Sequence, residues 1–113
     1  MTADTQSQID AIFNQVAQYN QQHDTSKPLF FDTETTGGGR NDQIIEIAFC
    51  DSDRNLIIDT LIYTDRPSST GAFKVHGIYP HELIGKPTFI DIQPAIVQLL
   101  KGRTLVSPRP SPY

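Results

Sequence analysis

Residues 29–37, LFFDTETTG, place two acids directly after an apolar, aromatic run. In a strand, side chains alternate between faces, so Asp32 and Glu34 point the same way, with Phe30 behind them on that side. Two carboxylates so placed can share a hard cation. Thr35, Thr36 and Gly37 follow them, offering hydroxyls and backbone N–H groups suited to a phosphate or sugar hydroxyl beside a metal. Alone, an Asp-x-Glu pair is more often two solvated surface acids, so the rest of the chain must decide.

Upstream, residues 6–22 carry Ile9, Ile12, Phe13, Val16 and Tyr19 at helical spacing, with Gln and Asn filling the other face. That helix and its linker, residues 1–28, stand outside the main pattern. A Gln-rich, nearly uncharged outer face specifies no partner, so the helix is expected to pack on its own domain. Downstream, Gly37-Gly38-Gly39 makes a turn, and Ile44 to Cys50 forms a second strand with a lone acid, Glu46, inside it. Glu46 should bond neighbouring backbone or a cation. Asp51 to Asn55 carries turn chemistry, which folds a third strand, Leu56–Thr64, back antiparallel. Short helical pieces are predicted at 69–75 and 80–84. A longer helix follows with Phe89, Ile92, Ile96, Val97, Leu99 and Leu100 on one face; Asp91 as N-cap would leave Pro94 in the first turn. Gly102 ends it, and Thr104-Leu105-Val106 opens a fourth strand before the Pro-rich residues 107–113.

The 113 residues allow one core. With 37% hydrophobic and 19% charged residues the chain is not a disordered tail. A net charge of −4 gives no general basic field, so any hold on nucleic acid must be local. No apolar run approaches the ~20 residues of a membrane span, and the first thirty residues lack signal-peptide order, so a cytoplasmic location without membrane attachment is expected. The single cysteine, Cys50, fits a reducing compartment and reads as an inert strand thiol. His23 and His81 read as solvent-facing.

The strings FDTETTG, DQIIEIA, VHGI, KPTF and GRTLV, in this order, resemble the DEDD superfamily of 3′–5′ exonucleases, most nearly the proofreading epsilon subunit of bacterial replicative DNA polymerase. The likeness covers residues 29–106. It implies an α/β, RNase H-like fold, with three antiparallel strands, helices and the start of a fourth strand parallel to the first. It also implies phosphodiester hydrolysis at the 3′ end of single-stranded DNA, with RNA an open alternative, and polymerase subunits as candidate partners. Asp32 and Glu34 would be catalytic ligands of Mg²⁺ or Mn²⁺, with Asp32 bridging two ions and Glu34 holding one. Thr35, Thr36 and Gly37 would contact substrate, Thr36 at the terminal nucleotide. His76 would line the pocket wall or serve as a structural histidine bonded to backbone.

The family's second motif, His-Asn-x-x-Phe-Asp-like, and third, His-x(4)-Asp, are not found after Val106, and no His or Asp follows Asp91. Two acids return −2 against the +4 of two divalent ions. One hydrated ion, weakly held, is then expected, with little or no turnover from this chain alone. The change to proline-rich sequence reads as a frameshift or premature end, which the downstream DNA in another frame would reveal. The competing reading is a non-catalytic remnant or interaction module that pairs through its sheet edge or its helix.

Overall fold

The structure, a computed structural model, describes residues 2–107; the proline-rich segment beyond Ser107 lies outside them. Its elements are α1 (Ala3–Gln22), β1 (Leu29–Thr35), β2 (Ile44–Asp51), β3 (Leu56–Leu61), α2 (Thr70–His76), a 3₁₀ turn (Pro80–Leu83), α3 (Phe89–Leu100) and β4 (Leu105–Val106). The sheet order is β3-β2-β1-β4. β1 runs antiparallel to β2 and parallel to β4, which pairs Leu29 with Leu105 and Phe30 with Val106. This mixed sheet with helices is the RNase H-like arrangement expected from the sequence.

The β2 sequence shows why the sheet has two unlike faces. Ile45, Ile47, Phe49 and Asp51 are buried, whereas Glu46, Ala48 and Cys50 between them are half-buried. The buried set meets α1 and α3, and Ile12, Val16 and Tyr19 of α1 share one core with Leu29, Ile58, Ile92 and Leu99. Burying a side chain such as Ile92 or Leu99 contributes ~1.5–3 kcal/mol. Helix α1 is therefore part of the domain rather than an appendage. Thr5 Oγ1 donates to the Gly85 carbonyl at 2.8 Å, and Asn20 Nδ2 to the Gln98 carbonyl at 3.2 Å. Phe13, expected on the apolar stripe, is 38% exposed.

The third strand is shorter than Leu56–Thr64. Ile62 N–H still donates to the Ile45 carbonyl of β2 at 2.8 Å, and the chain then leaves the sheet, with Tyr63 N–H donating to the Pro87 carbonyl instead of a strand neighbour. Helix α3 also starts earlier than expected. Thr88, not Asp91, is its N-cap: Thr88 Oγ1 accepts from Asp91 N–H at 3.3 Å while Asp91 Oδ2 accepts from Thr88 N–H at 2.9 Å. This reciprocal box satisfies two orphan donors, more than Asp91 could as a lone cap. Pro94 consequently lies inside the helix, where it cannot donate to the Ile90 carbonyl. Both residues are exposed, so water reaches that carbonyl. Pro94→Ala restores the donor and is expected to raise stability by about 1–3 kcal/mol, read as a higher urea midpoint with unchanged slope. An unchanged or lower midpoint would contradict this account of α3.

Candidate active site

Strand β1 carries the two acids on the face that α1 and α3 leave open. Asp32 is exposed and Glu34 half-buried, in register opposite Ala48 and Glu46 of β2. On β3, Asp59 lies opposite Ala48, so it extends the Asp32 row across the same face. Among the described residues no hydrogen bond or ion pair engages the side chains of Asp32, Glu34, Glu46 or Asp59. Burial pushes the Glu46 carboxyl up, and the negative charges of Asp59, Glu34 and Asp32 push it the same way. Glu46 thus lacks the backbone or cation partner its sequence context suggested. The face is a field of uncompensated negative charge. Its donor set is hard oxygen, which suits Mg²⁺ or Mn²⁺. Among the described residues, however, no group of three or more His, Cys, Asp or Glu converges to hold a metal. Next to the acids a groove of about 360 Å³ opens over Phe30, Ala48, Cys50 and Leu56.

The turn after β1 is organised by Asp42, a residue that the sequence did not single out. Its carboxylate accepts from Thr36 Oγ1 at 2.7 Å, Gly39 N–H at 2.7 Å and Arg66 Nε at 2.9 Å. The Arg66 guanidinium, followed by these hydroxyl and amide donors, holds Asp42 down at about 2. Since that lies below the ordinary carboxylate value near 4, its stabilising effect is present above pH ~4 and is lost as pH falls toward 2. Thr36 takes a different place from the expected contact with a terminal nucleotide: it is fully buried, donates to Asp42 and accepts from Gln43 N–H at 2.9 Å. Thr35 Oγ1 donates to the Gly37 carbonyl at 2.8 Å, so both hydroxyls brace the turn. Gly37 is required for space, because a Cβ there would sit 2.6 Å from Asp42 Oδ2. Three hydrogen bonds pin that oxygen's carboxylate, so it cannot swing aside. Gly37→Ala is expected to destabilise by about 1–3 kcal/mol; thermal melting at an unchanged midpoint would refute the close approach.

Helix α2 is fastened to the end of β1, since Ser69 N–H donates to the Thr36 carbonyl at 2.8 Å. His76, at its last turn, accepts from Ile78 N–H through Nδ1 at 2.9 Å and lies 3.2 Å from Ser68 Oγ through Nε2. These bonds brace the Gly77 corner, which turns at φ +65°.

The sequence model of the exonuclease family RNase_T matches residues 29–111. The chain belongs to this exonuclease family. It is also similar to the uncharacterized exonuclease CP81 of Escherichia phage 186, 37% identical over 71 residues. That match covers 63% of this chain and 37% of the phage protein's length.

In this exonuclease domain, three further polar groups escaped the sequence reading. Asp51, read as a turn residue, is 2% exposed and points into the core. Tyr19 Oη donates to it at 2.7 Å. Arg103 lies 4.9 Å from the centre of the Tyr19 ring and donates to the Asp24 carbonyl and Asn20 Oδ1. His23, expected in solvent, is half-buried and stacks on the Tyr19 ring at 4.2 Å. His81 is exposed and Cys50 is a free, half-buried thiol, as the sequence suggested. No helix among the described residues is long and apolar enough to cross a membrane.

Proposed function

We propose that this domain hydrolyses phosphodiester bonds at the 3′ end of a single nucleic-acid strand, with Asp32 and Glu34 holding Mg²⁺ or Mn²⁺. The observation that carries this reading is the pair of partnerless carboxylates on one face of the central strand, within the segment that the exonuclease family matches. A bound divalent ion would neutralise a phosphate oxygen and supply a nucleophilic water at neutral pH. The chain's own contribution is positional. The alternation of β1 aims both carboxylates to one side, and the partial burial of Glu34 lowers the local dielectric and strengthens attraction for a cation. The Asp42-braced turn at Thr35–Gly37, with His76 on the adjoining helix, forms the wall against which the terminal nucleotide rests. That wall acts through its backbone and shape, because the Thr36 hydroxyl is already engaged. Two carboxylates suit one hydrated ion.

Polarity is tested with a single strand labelled at one end or the other. Digestion from the 3′ end releases the 3′ label first as a mononucleotide, only with Mg²⁺ or Mn²⁺ present. Early release of a 5′ label, or cleavage that persists in EDTA, would overturn the reading.

A further inference from the structure

Beyond the acids, the most unusual surface is the corner between α2 and the 3₁₀ turn. Phe73, Tyr79 and His81 form a ladder of rings there: Phe73 meets Tyr79 edge-on at 4.9 Å, and His81 stacks on Tyr79 at 5.6 Å with the planes 21° apart. Tyr79 is 54% exposed, so its ring is open to solvent. The ladder is also stiff. Tyr79 N–H donates to Glu82 Oε2 at 2.7 Å and Glu82 N–H returns to the Tyr79 carbonyl at 3.0 Å, so the ring's backbone is locked.

We infer that this ladder is a stacking surface for a base of a single-stranded nucleic acid. The inference rests on the proposed function, because α2 is bonded to the end of the strand that bears Asp32 and Glu34. Flat, exposed rings accept any base by its π-face, the usual means of holding single strands without sequence preference. The charge around the ladder fits the same occupant. Residues 67–86 carry Lys74 and Lys86, neither in an ion pair among the described residues, against Glu82 alone, and the Glu82 carboxylate is engaged by the Tyr79 amide. In a chain of net charge −4 this segment carries a small positive excess, which favours a phosphate backbone over an acidic partner.

The chain has no tryptophan, so tyrosine emission can be read directly. A fluorescein-labelled oligothymidylate is titrated with the full chain in EDTA, which prevents hydrolysis, and unlabelled oligothymidylate serves for the emission measurement. Tyr79→Ala and His81→Ala are each expected to weaken binding roughly tenfold. Tyr79→Phe keeps the affinity and loses the quenching of tyrosine emission that the wild type shows on binding. His81 is exposed and its side chain makes no hydrogen bond among the described residues, so His81→Ala remains informative should Tyr79→Ala fail to fold. Unchanged affinity in His81→Ala and in folded Tyr79→Ala, or quenching that survives in Tyr79→Phe, overturns the stacking surface. Asp32-dependent hydrolysis measured in parallel then shows whether the proposed function survives it. No binding by the wild type in EDTA overturns the stacking surface alone, and the proposed function stands or falls on the hydrolysis assay with Mg²⁺.

Discussion

Asp51→Ala is expected to cost about 3 kcal/mol or more, because it strips a buried acceptor from several donors at once. Its carboxylate accepts from Tyr19 Oη at 2.7 Å, Asn55 Nδ2 at 2.9 Å, Asp53 N–H at 2.9 Å and Asn55 N–H at 3.0 Å. Burial by itself would push this carboxyl up; the donors from Asn55, Tyr19 and Asp53 reverse that and hold it well below the ordinary range. Its contribution is therefore present above pH ~4 and is lost as the pH falls below that. Tyr19 behaves in the opposite sense. Burial first, and then the hydrogen bond and charge of Asp51, raise its phenol to about 12. The stability it brings is complete below pH ~10 and disappears as the pH rises toward 12. Urea unfolding across pH should thus show a broad plateau with falling shoulders, and Asp51→Ala should flatten both. Asp53→Ala, which removes the exposed Lys27–Asp53 pair, is the contrast and should change little. Equal losses from Asp51→Ala and Asp53→Ala would show that the buried network does not anchor α1 to the β2–β3 turn.

Asp32→Ala is expected to bring metal-dependent hydrolysis to background while leaving the urea midpoint almost unchanged. The side chain is exposed and has no partner among the described residues, so its removal exposes no buried donor and leaves no cavity. Removing one negative charge from a face shared with Glu34, Glu46 and Asp59 should, if anything, stabilise slightly. Glu34→Gln, which keeps shape and loses charge, should act in the same direction on activity. Full activity in Asp32→Ala would place the chemistry elsewhere.

The fold was largely legible because its signals are local. Alternation in Ile44–Cys50 separates a core face from an open one, and the same period puts Asp32 and Glu34 together without knowledge of any neighbour. The helical spacing of Ile9, Ile12, Val16 and Tyr19 likewise gave the stripe that α1 buries. What escaped depends on partners distant in sequence or on turns without a period. Asp51 sits in a run of turn-formers, and only the packing of Tyr19, thirty-two positions away, makes it a core residue. Asp42 acts across a Gly-rich loop whose conformation follows from its own hydrogen bonds. Thr36 was legible as a residue of the turn after β1, but the direction of its hydroxyl was set by Asp42 and Gln43. The proximity of Glu46 to Glu34 required the register of β1 on β2, which the residues 36–43 determine.

On the function proposed above, Asp32 and Glu34 jointly hold a divalent cation. Titrating the full chain with Mn²⁺ in a calorimeter measures this without reference to turnover. One binding event, abolished by Asp32→Ala and by Glu34→Gln and unaffected by Asp53→Ala, is the predicted result. Heat that is absent in the wild type, or that survives both substitutions, would contradict it.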